Sequence, residues 1–175
     1  MRYIIGDLLE ADTEYIVQQN CCTALRAHGL SETIAKKWPY VNPYKDRRKY
    51  KGNWAVLEDR PQPGSIMIYD FDPQQDSGLK GVICAFAQVS HSQPRRYKDP
   101  LEMDDKLGDD FIDRIRYFSE CLEAISTIEP KPKSVGFPYK IGCGLAGGNW
   151  TKYEYLIKKW SEKNSDIDVR IYRLT

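Results

Sequence analysis

The sequence predicts an α/β domain with a largely parallel sheet, because short apolar runs alternate along the chain with helical patterns. Several of these runs are apolar throughout, which is typical of strands covered on both faces. The length of 175 residues fits one domain. Apolar residues make up 41% of the chain and charged residues 29%, a balance that excludes wholesale disorder.

Five segments rich in β-branched and aromatic residues are predicted strands. They cover residues 15–17, 65–69, 81–87, 134–137 and 169–172. A helix is predicted from Ser31 to about Lys37, because Pro39 stops it.

Two longer helices follow from apolar stripes at steps of three and four residues, which we interpret as core-facing. The stripes are Phe111, Ile115, Phe118, Leu122 and Ile125 in one helix, and Trp150, Tyr153, Ile157 and Trp160 in the other. Thr151 to Glu154 matches a capping box at the start of the last helix.

Charge and apolar content narrow the function classes. Lys and Arg number 26 and Asp and Glu 25, so the net charge of +1 argues against broad electrostatic binding to nucleic acid or membranes. No run approaches the ~20 apolar residues of a membrane span. Acidic Asp7 and Glu10 exclude a signal peptide at this N-terminus.

The cysteines and histidines do not fit a metal site. Five cysteines without a Cys-x-x-Cys pair, and only two histidines, predict reduced thiols in a cytoplasmic protein, or a nuclear one in a eukaryotic or viral source, without a structural metal. No cofactor and a monomeric state are expected.

The most informative segment is the glycine loop, residues 141–149, between a predicted strand and a predicted helix. It holds Ile141, Gly142, Cys143, Gly144, Leu145, Ala146, Gly147, Gly148 and Asn149. Glycines let backbone N–H groups approach a ligand closely, and a following helix N-terminus favours phosphate. We therefore predict a phosphate-binding loop.

Two familiar nucleotide motifs do not explain the glycine loop. The spacing Gly142-x-Gly144-x-x-Gly147 matches the dinucleotide fingerprint, but that motif belongs at the first βαβ unit, and only 28 residues follow Gly147. The chain also lacks a Gly-x-x-x-x-Gly-Lys-Ser/Thr motif, which excludes a P-loop.

A second loop, residues 18–30, leads from the strand at 15–17 into the first helix. Two such loops at one sheet edge form the usual ligand crevice of an α/β sheet. Asn20 has the chemistry to bind a sugar hydroxyl or to serve as a turn residue. His28 has the chemistry to transfer protons near neutral pH or to be a solvated loop residue.

On the basis of these loops and residues, the chain resembles the macrodomain family, whose members bind ADP-ribose. Gly6-Asp7-Leu8 is similar to the adenine-reading turn of that family. Residues 16–35, with Asn20, Gly29 and Leu30, resemble its first ligand loop, and Ile141 to Leu145 with Trp150 resemble its diphosphate loop. The resemblance implies a three-layer α/β/α sandwich around a mixed six-stranded sheet.

The resemblance also implies candidate roles. Asp7 and Leu8 would contact adenine, Asn20 would lie beside the distal ribose, and Gly29, Leu30 and residues 141–146 would line the ligand site. The segment 141–145 is most similar to a branch with terminal ADP-ribose protein glycohydrolases, DNA ADP-ribosyl glycohydrolases and ADP-ribose 1''-phosphate phosphatases.

Three departures from the family bear on catalysis. Ala27-His28-Gly29 replaces a Gly-Gly-Gly stretch. Here no lysine follows the strand at 81–87 until Lys98. In that branch's glycohydrolases a lysine after this strand forms a covalent intermediate. Ala146 stands where the terminal glycohydrolases have their catalytic acid.

The residues leave three hypotheses. The first is a hydrolase acting on ADP-ribose 1''-phosphate or an ADP-ribosyl ester, with Asn20 and His28 as catalytic residues; Cys143 is either a nucleophile or a packed thiol. The second is a reader that binds ADP-ribose without turnover. The third is an RNA-binding domain using the basic run 45–51 and Arg95-Arg96 with nearby tyrosines, against a solvated surface as its alternative.

Two long polar segments, residues 40–64 and 90–110, interrupt the alternation of strands and helices. Loops of this length in a compact domain are often functional, so we predict that they wall the ligand site.

Overall fold

In a computed structural model, which describes residues 1–74, 78–101 and 107–175, strands and helices alternate along most of the chain. Asp104 and Asp105, part of the polar segment 90–110, lie outside the described residues. The strands are β1 (Arg2–Ile5), β2 (Tyr15–Cys21), β3 (Lys49–Lys51), β4 (Trp54–Ala55), β5 (Ile66–Asp70), β6 (Gly81–Gln88), β7 (Ser134–Pro138) and β8 (Asp168–Arg173). The helices are α1 (Leu30–Lys37), α2 (Phe111–Ser126) and α3 (Trp150–Lys163).

Six of the strands form one mixed sheet in the order β1-β8-β7-β2-β6-β5. All neighbours are parallel except β5, which pairs antiparallel with β6 at one edge. This confirms the mixed six-stranded sheet. β3 and β4 form a separate hairpin within the polar segment 40–64, where the apolar pattern indicated no strand.

The sheet is covered on both faces, as its apolar strands predict. Val17 and Ile83 pack with residues of α2 and α3 in the larger core cluster. Their chain neighbours Ile16 and Val82 point the other way and pack with Ile34 of α1. The three-layer α/β/α sandwich is therefore confirmed.

The starts of the two long helices differ from the sequence pattern. Asp110 caps α2, and its carboxylate accepts from Asp113 N in a reciprocal capping box. The box predicted at Thr151 is wrong, because the capping residue of α3 is Asn149, two residues earlier, and it makes no side-chain cap bond. In the described part of the chain, no helix has both the length and the apolar character for crossing a membrane.

Candidate functional site

A cleft of about 400 Å³ opens where the loops after β2 and β7 meet. These strands are parallel neighbours, so their carboxyl ends lie at the same edge of the sheet. Eight of the sequence-predicted site residues line this cleft. They are His28, Gly29, Leu30, Ile141, Gly142, Gly144, Leu145 and Ala146.

The part of the glycine loop that lines the cleft carries unpaired amides. Within the described residues, no acceptor pairs with the backbone N–H groups of Gly144, Leu145 and Ala146. The loop is closed behind them by the Gly148 N–H, which donates to Gly142 O at 2.9 Å. Three successive free donors in a cleft have the chemistry to bind the oxygens of a diphosphate.

Gly142 is required by the shape of this loop. Its φ of 72° lies in the left-handed region, and an added Cβ would come within 2.7 Å of Gln19 Oε1. Gly144 differs, because a Cβ there would meet nothing within 4 Å. The first glycine shapes the loop, while the second leaves open space at the cleft wall.

The opposite wall is the turn that precedes α1. Gly29 caps this helix with a φ of 57°, which a residue with a Cβ adopts only under strain. Ser31 fixes the turn, since its hydroxyl donates to His28 O at 2.8 Å and accepts from His28 N at 2.9 Å. The exposed His28 side chain is left facing the cleft.

Four predicted site residues do not line the cleft. Leu8 is buried in the core beneath the sheet, and exposed Asp7 caps a short 3-10 helix by accepting from Leu9 N at 2.9 Å. Asn20 is 1% exposed, and its Nδ2 donates to the Tyr44 hydroxyl at 3.0 Å.

The fourth, Cys143, is half-buried and its Sγ donates to Ile141 O at 3.2 Å. Burial raises the pKa of this thiol to about 11. It is therefore protonated at neutral pH, which matches a packed thiol better than a nucleophile. All five cysteines are free thiols.

His91 lines the cleft although no pattern in the sequence singled it out. It lies after β6, and its ring stacks on Tyr97 at 4.9 Å between centroids and packs against Trp54 at 5.2 Å. Burial, and secondly the nearby His28, lower the pKa of His91. Both histidines of the chain thus share one cleft, with one of them biased toward the neutral form.

Arg114 is a second residue that the sequence did not reveal as part of the site. Its side chain is 2% exposed and pairs with Asp109 at 2.8 Å. Its Nη1 donates to Ser92 O at 2.9 Å and to Ala146 O at 3.1 Å. This arginine therefore joins the loop after β6 to the glycine loop.

The two polar segments contribute differently to the cleft. Tyr44 lines it from the segment 40–64, and His91 and Ser92 line it from the segment 90–110. The segments also contact each other, because buried Arg60 forms an ion pair with Asp99.

The basic run 45–51 is only partly free. Arg47 donates to Ala24 O at 2.8 Å and to Cys21 O at 3.1 Å, so it supports the loop after β2. Arg48 pairs with Asp59 at 3.0 Å. The exposed lysines that remain are Lys45, Lys49 and Lys51.

The described part of the chain contains no cluster of three or more His, Cys, Asp or Glu side chains suited to a metal ion. The cleft itself offers backbone amides and two imidazoles, and buried Arg114 supports its wall through Ala146 O.

A six-stranded mixed sheet between helical layers, with a glycine loop at its carboxyl edge, defines the macrodomain fold. The macrodomain of Mycobacterium tuberculosis DarG has this fold, with 23% identity over 100% of this chain and 99% of that chain, and a TM-score of 0.70. The macrodomain of Thermus aquaticus DarG gives 20% identity, coverage of 98% and 97%, and a TM-score of 0.66.

A Trypanosoma brucei macrodomain in complex with ADP-ribose is also similar, at 13% identity and a TM-score of 0.58, over 97% of this chain and 61% of that chain. No protein-family model and no curated protein matches the sequence. At these identities the likeness establishes the fold, and this chain has the macrodomain fold.

Proposed function

We propose that this chain binds ADP-ribose in the cleft and hydrolyses an ADP-ribose derivative, either ADP-ribose 1''-phosphate or an ADP-ribosyl ester. One observation carries the proposal: Gly144, Leu145 and Ala146, whose amides are unpaired, line the same cleft as His28 and His91. A structurally similar macrodomain that binds ADP-ribose supports the choice of ligand.

The amides are suited to the diphosphate. Hydrogen bonds to charged groups contribute about 1.5–3 kcal/mol each, so losing one donor weakens binding at least tenfold. The imidazoles would supply the proton transfers.

The role proposed for Asn20 becomes indirect. Its buried amide holds the Tyr44 hydroxyl, which also accepts from Cys21 N at 3.1 Å. Tyr44 lines the cleft, so Asn20 would support the wall of the site without touching the ligand.

Binding is tested by calorimetric titration of ADP-ribose into the wild type and Gly144→Val. An added Cβ at this position meets nothing within 4 Å, and a valine side chain would stand at the cleft wall. We expect affinity to fall at least tenfold with an unchanged melting temperature. Lys49→Ala, on the exposed hairpin, is the control and should bind as the wild type does. Wild-type protein that does not bind ADP-ribose would refute the proposal.

Turnover is tested by release of inorganic phosphate from ADP-ribose 1''-phosphate, with an ADP-ribosyl ester as the second substrate. Binding without product from either would identify a reader.

RNA binding is the weaker alternative, because Arg47 and Arg48 are held by intramolecular partners. It would show as RNA affinity that falls steeply with salt and is lost when Lys45, Lys49 and Lys51 are changed to alanine.

A further inference from the structure

We propose that His91 is the general base of this cleft and takes a proton from the attacking water, while His28 returns a proton to the leaving group. This inference rests on the hydrolase activity proposed above and assigns roles within it. The position of His91, the surroundings of its ring and the neighbouring donors support it.

The backbone around His91 is fixed next to the glycine loop. Asp109 accepts from Val89 N at 2.9 Å and from Ser90 N at 3.0 Å, which holds the chain as it leaves β6. One nitrogen of Arg114 then bonds the carbonyl of Ser92, the residue after His91, and that of Ala146. His91 is therefore adjacent to the amides proposed to hold phosphate.

The ring of His91 is fixed as well. Tyr97 stacks on it with an interplanar angle of 28°, and Trp54 packs against it at 58°. Its Nδ1 is buried and has no hydrogen-bond partner among the described residues. Because Nδ1 is closed to solvent, the nitrogen that would meet a bound water is Nε2, and an imidazole fixed in a cleft is suited to accept a proton from that water.

The charged groups around this ring disfavour the imidazolium. Burial lowers the pKa of His91, and His28, across the cleft, lowers it further. Arg60 lies over the Trp54 ring at 5.9 Å and is paired with Asp99. Arg96 lies 5.7 Å from the Tyr97 ring. His91 is consequently neutral at neutral pH and available as a base.

The proposed step balances for ADP-ribose 1''-phosphate. His91 takes one proton from water, and the water oxygen forms a bond to phosphorus. The bond between phosphorus and the 1'' oxygen breaks, and that oxygen takes a proton from the His28 imidazolium. Both imidazoles then exchange protons with solvent, so that one water is consumed per phosphate released.

The test compares His91→Gln with the matched variant His28→Gln, since glutamine keeps a polar side chain but transfers no proton at neutral pH. For His91→Gln we expect kcat for phosphate release to fall roughly 10²–10⁴-fold. The dissociation constant for ADP-ribose should stay within about threefold of the wild-type value, since the proposed base does not hold the diphosphate. Loss of the base should also remove the acidic limb of the pH profile of kcat/KM, whereas His28→Gln should keep that limb.

The outcomes separate this inference from the function on which it rests. An active wild type with unchanged kcat in His91→Gln overturns the role of His91 and leaves the hydrolase intact. A parallel loss of affinity and turnover assigns His91 to binding and overturns the base. A wild type that binds ADP-ribose but releases no product overturns both the hydrolase and the base, and one that does not bind overturns the whole proposal.

NMR of the wild type supplies a readout that does not depend on a folded variant. The chain has only two histidines, so their imidazole resonances are readily assigned. ADP-ribose should shift both resonances, and in the free protein His91 should titrate below the ordinary histidine value of 6.5. A His91 resonance that does not respond to saturating ADP-ribose would overturn its placement at the reacting group.

Discussion

Replacing Arg114 with methionine tests whether its buried ion pair with Asp109 holds the loop after β6 against the glycine loop. Methionine keeps much of the side-chain length but removes the charge and every donor. The change leaves the Asp109 carboxylate, whose side chain is 13% exposed, without its cation. It also removes the donors to Ser92 O and Ala146 O.

The expected cost is about 3–5 kcal/mol, because breaking a buried pair leaves an uncompensated charge. The lower part of this range is favoured, since Asp109 keeps three donors: Val89 N at 2.9 Å, Ser90 N at 3.0 Å and Ser90 Oγ at 2.6 Å. A loss of about 3 kcal/mol corresponds to roughly 6–12 °C in melting temperature for a chain of this size.

Urea unfolding followed by tryptophan fluorescence measures this cost for Arg114→Met, Asp109→Asn and the double variant. The double variant should be at least about 1 kcal/mol more stable than the sum of the single effects, because it no longer buries an unpaired carboxylate. Additive effects, or a loss below about 0.5 kcal/mol in Arg114→Met, would refute the argument that this pair joins the loops.

Three further predictions concern single residues. Cys143 should react slowly with iodoacetamide at pH 7, because burial raises its pKa to about 11, and Cys143→Ser should retain ADP-ribose binding. Gly142→Ala should lower the free energy of unfolding by at least roughly 1–2 kcal/mol, because the left-handed φ strains a side chain there, whereas Gly144→Ala should be near neutral in urea unfolding. Asp168 should contribute to acid unfolding: although burial alone would raise its pKa, hydrogen bonds from two arginines hold it below the ordinary value of 3.8. Its stabilisation is present above that value and lost as pH falls through the lowered pKa, so Asp168→Asn should flatten the melting temperature below about pH 4.

The sequence predicted the sheet well where strands are buried on both faces. Residues 81–87 are apolar without interruption, and the structure makes them the core of β6, every residue of which is buried. The hairpin of β3 and β4 was missed because its pattern is polar. All three residues of β3 are exposed, so no buried face requires apolar residues at alternate positions.

In the helices, apolar periodicity does not show how far along the stripe the residues are buried. Phe118, Leu122 and Ile125 of the α2 stripe are buried, whereas Phe111, which begins the same stripe, is 55% exposed. The stripe records which residues could face the sheet, but the first turn of α2 extends past the part of the core that would cover it. Its start is instead set by the capping box between Asp110 and Asp113, a local hydrogen-bond pattern.

Some residues of the candidate site can be predicted from neighbouring residues in the sequence, whereas others depend on contacts with distant parts of the chain. The glycine loop was visible because its chemistry is contained in consecutive residues. His91 was not, since its position in the cleft depends on residues far along the chain: Asp109 and Arg114 fix its loop, and Trp54 fixes its ring.

Asn20 is the opposite case, because its surroundings, not its place in the sequence, depend on a distant segment. In sequence it stands at the end of a strand that leads to the cleft, which is where a ligand-binding side chain is expected. Side chains alternate between the two faces along a strand, however, and Tyr44, contributed by a distant segment, covers Asn20 and accepts its hydrogen bond.

Removing the Tyr44 hydroxyl therefore distinguishes the two roles of Asn20. If Asn20 only supports the wall, Tyr44→Phe and Asn20→Ala should weaken ADP-ribose binding by similar factors in calorimetry and should not be additive when combined. If Asn20 touches the ribose, Tyr44→Phe should leave affinity nearly unchanged while Asn20→Ala lowers it.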